Sequence, residues 1–212
     1  MYGGVPHQER REVQHHLIIS GTGRSGTTFL MQLMTALGMD TGFADPWDDR
    51  FANCDAGMEF DFLGPWNHYL VKSPRLCDYL DEAISTRHIV VDHAIIPVRN
   101  LHAAAQSRRD VEERSDRREP SGVIAGGLWL TSDPGDQERV LERQIYSLLS
   151  ALAKHDIPTT LLWFPRLVRD LPYLYSRLHP ILDGVTYDAF AAAFLSVSRP
   201  ELVHDFTSSP GG

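Results

Sequence analysis

Lysine is nearly missing from this 212-residue chain: of 20 basic residues only Lys72 and Lys154 are lysine, and the rest are arginine. Cysteine is equally scarce. Cys54 and Cys77 form no C-x-x-C pair, which argues against a disulfide framework and leaves two free thiols in a cytoplasmic chain as the expectation. No apolar run approaches the roughly 20 residues needed to span a bilayer, and residues 1–12 are polar, without the pattern of a secretion signal. The ten histidines show no H-E-x-x-H or similar spacing. His15 and His16 are neighbours in a strand pattern, where successive side chains point to opposite faces, so they make a poor chelate and no metal is expected. Net charge is −8 with a pI near 5.6. The chain as a whole therefore repels nucleic acid and anionic membrane, and neither is expected as a partner. Any anion it binds must be held by a local cluster of cations.

Against that background one segment stands out. Leu17-Ile18-Ile19-Ser20 is a short branched apolar run that enters Gly21-Thr22-Gly23-Arg24-Ser25-Gly26-Thr27-Thr28 and then a helical pattern from Phe29. Strand, glycine turn and helix make a phosphate-binding loop, in which backbone N–H groups curl around an anion and the helix N-terminus adds positive charge. Gly21 to Gly26 fits the spacing G-x-x-x-x-G-K-[ST], but Thr27 stands where the nucleotide-triphosphate lysine belongs. A cation is present instead at Arg24. The loop suits phosphate and lacks the residue that suits ATP.

The periodicity predicts strands over 13–20, 69–71, 93–98 and 159–164, and helices over 27–37, 76–84, 101–109, 137–155, 173–182 and 187–197. Residues 40–61 are acidic and rich in glycine and aromatics, and are expected to be irregular with a short helix. The charged stretch 110–127 is expected to be a helix end and a loop over a cleft. Alternating strands and helices give the fold class α/β, a P-loop-type three-layer sandwich with a mainly parallel central sheet. One domain covering 1–212 is expected, with mobile tails at 1–12 and 206–212. Ligands of such sheets sit beyond the carboxyl ends of the strands. The loop at Gly21–Thr28, Lys72 and Arg99 each follow a predicted strand, so all should share one cleft.

Arg99 leaves its strand and Ser107 lies eight residues on, about two turns into the next helix. A guanidinium and a hydroxyl placed so can clamp a phosphate from two directions. The plain alternatives are an arginine bonding a carboxylate at a strand end and, for Lys72, a solvent-facing lysine.

Taken together these segments resemble the 3′-phosphoadenosine 5′-phosphosulfate (PAPS)-dependent sulfotransferases. The 5′-phosphosulfate loop of that family, [KR]-S-G-[ST]-[ST]-[aromatic or Leu], is matched by Arg24-Ser25-Gly26-Thr27-Thr28-Phe29. Its 3′-phosphate motif is matched by Arg99 and Ser107, about 75 residues later, as in the shorter bacterial members. The likeness covers roughly residues 17–109. It implies a donor site made of Gly23, Arg24, Ser25, Gly26, Thr27, Thr28, Phe29, Arg99 and Ser107, with PAPS bound and PAP (adenosine 3′,5′-bisphosphate) left as product. It also implies that Lys72, in Lys72-Ser73-Pro74, and Arg24 act on the transferring sulfuryl group, with a small-molecule or glycan acceptor donating a hydroxyl or, second, an amine.

Two departures follow. Members that sulfate phenols and steroids carry a histidine just after the lysine, where this chain has Ser73. The resemblance then implies a carboxylate base after the first helix. Asp45 fits best and Glu59 stands in reserve, with Asp48, Asp49 and Asp61 nearby. The basic R-K-G segment that closes over the 3′-phosphate is also missing near the C-terminus, so that lid is absent or supplied by 110–127. Trp47, Phe51, Phe60, Phe62, Trp66 and Tyr69 offer walls for an acceptor or for a core. Two other readings stay open: a small-metabolite kinase, with Asp92 of Ile89-Val90-Val91-Asp92 on magnesium, and a non-catalytic nucleotide-binding module. No feature assigns an oligomeric state.

Overall fold

The computed structural model describes residues 13–51, 56–60, 62, 64, 68–86, 89–115, 122–204 and 206. Of the expected tails 1–12 and 206–212, residues 1–12 and 207–212 lie outside the described residues, as do Cys54, Asp61 and Trp66.

Four parallel strands make the central sheet: β1 (Gln14–Ile19), β4 (Leu70–Lys72), β5 (Ile89–Val98) and β6 (Thr159–Trp163), in the order β4-β1-β5-β6. Ile18 pairs with Val71 on one side and Ala94 on the other. Alternation along β1 sends its apolar run to both faces. Leu17 and Ile19 join one core with Leu30, Leu33, Met34 and Phe190, while Ile18 joins the other with Leu80, Ile96, Leu148 and Leu152. The first core lies under α1 (Thr27–Ala36), α6 (Leu171–Leu178) and α7 (Tyr187–Val197); the second lies under α2 (Leu76–Thr86) and α4 (Gln137–Lys154). This is the α/β three-layer sandwich the sequence pattern predicts. No helix among the described residues is long and apolar enough to cross a membrane.

Several element boundaries differ from expectation for physical reasons. β5 begins at Ile89 rather than 93, because Gln14–His16 of β1 pair with Ile89–Val91, while β6 reaches only as far back as Ala94. There buried Ile89 and Val91 alternate with exposed Val90 and Asp92, a half-exposed strand rather than a continuous apolar one. Residues 40–61 hold no helix among the described residues; an antiparallel ribbon of β2 (Arg50–Phe51) and β3 (Ala56–Gly57) forms instead. The helix from 101 does not stop at 109. As α3 (Leu101–Arg114) it forms the helix end expected in the charged stretch as far as Arg114, with Glu113 and Arg114 exposed while Ala104, Ser107, Arg108 and Val111 are buried. The predicted helix 173–182 is α6, which starts at Leu171 with Asp170 accepting from Tyr173 N, followed by a 3-10 turn over His179–Ile181; a four-residue α5 (Arg166–Arg169) precedes it.

Candidate active site at the carboxyl ends of the strands

The turn between β1 and α1 is built from left-handed backbone: Gly23 (φ 66°), Arg24 (φ 54°) and Gly26 (φ 93°). A Cβ on Gly23 would sit 2.5 Å from Arg108 Nη2, and one on Gly26 would sit 3.0 Å from the Phe164 ring, so glycine is required twice over. Arg24 holds the same conformation with a side chain, at a cost of about 1–2 kcal/mol. Arg99 fixes it there, its Nη1 donating to the Arg24 carbonyl at 2.8 Å. The first turn of α1 carries no acidic residue, which leaves the positive field of that N-terminus unopposed. Ser25 is fully buried, and its Oγ has no hydrogen-bond partner among the described residues.

A cavity of about 410 Å³ opens over this loop. All four sheet strands contribute to its wall at or just past their carboxyl ends, through Gly23, Lys72, Arg99 and Phe164. Its described lining carries seven cations (Arg24, Lys72, Arg75, Arg99, Arg108, Arg114 and Arg199) against one carboxylate, Glu59. In a chain of net charge −8 that concentration makes the cavity a local centre of positive potential.

The two expected anion motifs meet here. Arg24 Nε donates to Ser107 Oγ at 3.2 Å across 83 residues of sequence. Arg99 does not reach Ser107 through a direct bond; its second nitrogen, Nη2, donates to the His204 carbonyl at 2.8 Å, and its guanidinium lies 4.8 Å from the Phe164 ring centre. Gly26, Thr27, Thr28 and Phe29 also line the cavity. The C-terminal stretch, expected not to close the site, reaches it as well: Arg199, Leu202, Val203 and His204 line it, together with Val123–Gly126 from the far end of the 110–127 segment.

Lys72 is not a surface lysine. It is 1% exposed at the end of β4, and its Nζ donates to Thr28 Oγ1 at 3.0 Å and to the Gly57 carbonyl, with Glu59 Oε1 at 3.3 Å. Phe60 N donates to the Lys72 carbonyl, which ties the chain after β3 to the sheet edge and brings Glu59 over the cavity. Asp45 is placed differently. It is exposed, its Oδ1 accepts from Trp47 N at 2.7 Å to close a tight turn, and it is not among the lining residues. Asp48 and Asp49 do not line the cavity either. Of the aromatic residues between 47 and 69, Trp47 lines the cavity; Phe60 and Phe62 pack against the core and Tyr69 is exposed.

Arg108 was not anticipated from sequence. It is 4% exposed, and its two terminal nitrogens donate to the carbonyls of Thr22 (2.7 Å) and Gly127 (2.8 Å). It braces the turn between β1 and α1 against the chain at Gly127. The sequence does carry a signal for it: Ala104, Ser107, Arg108 and Val111 follow the i, i+3, i+4, i+7 spacing of a buried stripe. Cys77 supports the loop from below, its thiol donating to the Gly21 carbonyl at 3.4 Å, and burial pushes that thiol up to about 12.

Asp92, the magnesium ligand of the kinase reading, is misplaced for that role. It lies six residues before the end of β5, about 20 Å from the loop end at strand rise, and pairs with His15 Nδ1 at 2.8 Å. No cluster of His, Cys, Asp and Glu that could hold a metal occurs among the described residues.

No protein-family model matches the chain, and no curated protein matches it. Among solved structures, the "Sulfotransferase Domain from the Curacin Biosynthetic Pathway" is similar: the match covers 95% of this chain and 82% of that one, with 12% identity and a TM-score of 0.47. A likeness of that degree carries no weight on activity, and the geometry of the site decides the reading.

Proposed function

We propose that the protein is a PAPS-dependent sulfotransferase that acts on a hydroxyl of a small-molecule acceptor. The observation that carries the reading is the bond from Arg24 to Ser107. It joins a phosphate loop without the triphosphate lysine to the Arg99/Ser107 segment, as a donor with phosphates at both ends of its ribose requires.

The lining residues fit the donor. Ser25 is fully buried and does not line the cavity, so its Oγ, without a partner among the described residues, lies inside the loop rather than on the donor side. The loop N–H groups from Gly23 to Thr28 and the N-terminus of α1 would hold the 5′-phosphosulfate end. Arg99 and Ser107 would hold the 3′-phosphate, with Arg99 exchanging its contact to the His204 carbonyl for a charged oxygen.

The donor supplies an activated sulfuryl group, which passes to the acceptor oxygen as the bond from sulfur to the nucleotide's bridging oxygen breaks. Negative charge develops on that oxygen. Lys72 and Arg24 are cations held by hydrogen bonds in place and stabilise that charge without reorganising. Glu59 is the carboxylate that faces the same space, and it takes the acceptor's proton as the new oxygen–sulfur bond forms. Its contact with Lys72 orients it before the acceptor arrives. Asp45, expected first from sequence, closes a surface turn, so the role passes to Glu59.

Calorimetry with PAP beside ADP tests the reading. The 3′-phosphate contact should make PAP at least about tenfold tighter, since one charge-assisted contact exceeds about 1.5 kcal/mol. Equal affinities would remove the sulfotransferase. PAP binding without turnover on any acceptor would leave the nucleotide-binding module.

A further inference from the structure

One polar group in the cavity has no part in the donor site. Gln32 lies on α1 and is 6% exposed, and it lines the cavity. Its Nε2 is buried without a hydrogen-bond partner among the described residues. A buried amide N–H left unmatched is costly, and natural proteins keep few of them without a reason. Nearby apolar side chains offer it nothing: Phe29, Val168, Val197 and Val203 belong to or pack on one core cluster and line the same cavity.

Position gives this group its meaning. Gln32 is four residues after Thr28, so the two share a face of α1 about 6 Å apart. Thr28 accepts from Lys72, and Lys72 faces Glu59. The row Thr28–Gln32 therefore leads away from the reacting end of the cavity, opposite in direction along the helix to the phosphate loop. Apolar lining residues of the cavity include Phe29, Val168, Val197 and Val203, and the Gln32 amide stands one turn along α1 from Thr28.

We propose that Gln32 is the specificity-determining residue of the acceptor arm. The acceptor class is a compact apolar compound that carries the reacting hydroxyl at one end and a hydrogen-bond-accepting oxygen, such as a carbonyl, about one helical turn away. The Gln32 amide donates to that second oxygen. A polyhydroxylated sugar is disfavoured, because its remaining hydroxyls would be stripped of water against Phe29, Val168, Val197 and Val203 with no partners. The identity of the reacting end rests on the sulfotransferase reading; the recognition by Gln32 does not.

The probes are 4-hydroxyacetophenone and 4-isopropylphenol, which match in shape and differ in a carbonyl oxygen. Affinities are measured by titration calorimetry, with and without PAP, and PAP affinity is measured in each protein. The wild type should prefer the ketone about fivefold, although the hydrocarbon is the more hydrophobic compound. Gln32→Met, which keeps volume and removes the donor, should reverse that preference and leave PAP affinity unchanged. The proposal is overturned if the wild type binds neither phenol, binds both equally or prefers 4-isopropylphenol. It is overturned too if Gln32→Met keeps the ketone preference. A ketone preference that depends on Gln32 in a protein that does not bind PAP would sustain the assignment and remove the sulfotransferase reading instead.

Discussion

Lys72 and Glu59 face each other in the wall of the cationic cavity, Nζ to Oε1 at 3.3 Å, with the lysine 1% exposed and the carboxylate side chain 36% exposed. This asymmetry separates their roles. The lysine is locked by Thr28 Oγ1 and the Gly57 carbonyl, whereas the carboxylate keeps an open side toward an incoming molecule.

On the proposed mechanism, Lys72→Met should lower turnover by at least about 10²-fold while PAP affinity changes less than about threefold, because PAP lacks the sulfuryl group assigned to the lysine there. The loss of its bonds should also lower stability by about 1–3 kcal/mol. Steady-state rates beside urea denaturation separate the two effects. Unchanged turnover would make Lys72 a structural residue that only anchors β3.

Glu59→Gln keeps the shape and removes the basicity, so turnover should fall by roughly 10²- to 10⁴-fold with PAP affinity retained. Asp45→Asn should leave turnover within about threefold, since an asparagine oxygen can still accept from Trp47 N. The opposite pattern, with Asp45→Asn inactive, would return the role to the carboxylate that the family pattern favoured.

Arg108→Met should destabilise the protein by roughly 3 kcal/mol, because two charge-assisted bonds to the Thr22 and Gly127 carbonyls vanish at once. Arg108→Lys should recover little of this, as one ammonium cannot reproduce a fork held to two carbonyls. Urea midpoints of the three proteins measure it. PAP affinity should fall alongside, since Arg108 holds the loop in register.

What the sequence made legible follows from how local each signal is. The unit from β1 through the glycine turn to α1 can be read directly, because branched apolar residues, glycines at left-handed positions and a helical stripe lie within 25 residues. The convergence of Gly23, Lys72 and Arg99 also follows, since parallel strands present their carboxyl ends on one side. The Lys72–Glu59 pair is another matter. It depends on a ribbon of two-residue strands whose pairing is not encoded in any periodicity, and so nearby Asp45 looked the better candidate. Arg108 was masked by the charge run around it. Asp92 passed for a metal ligand because sequence does not reveal which half of a ten-residue strand faces the site.

Cys77 should be inert in the native protein. Burial pushes its thiol up to about 12, so at pH 8 only about 10⁻⁴ of it is thiolate, and the thiolate is the reactive form. Iodoacetamide followed by mass spectrometry should label the Cys77 peptide in urea but not in buffer. Native labelling would mean that the loop floor beneath Gly21 opens readily.

His16 provides a pH test of the core. It is 2% exposed, its Nδ1 donates to the His68 carbonyl at 2.9 Å, and its ring meets Phe62 at 5.2 Å. Burial lowers its pKa from 6.5, with the bond to His68 working partly in the other direction. Above 6.5 both folded and unfolded chains carry the neutral ring, and its contribution is complete. As pH falls through 6.5 the unfolded chain binds a proton that the folded chain refuses, so stability declines until the lowered folded value is passed. His93, lowered by burial as well, acts with the same sign. Asp81, held low by Lys154 and His155, and Asp170, held low by Tyr173 N and Arg166, start from 3.8 and lose their contributions only in more acidic solution. Urea midpoints between pH 8 and pH 5 should therefore decline in the wild type and decline less in His16→Phe, which removes the titrating ring but loses the bond to His68 at every pH. Parallel slopes for the two proteins would show that His16 takes up its proton without leaving the fold.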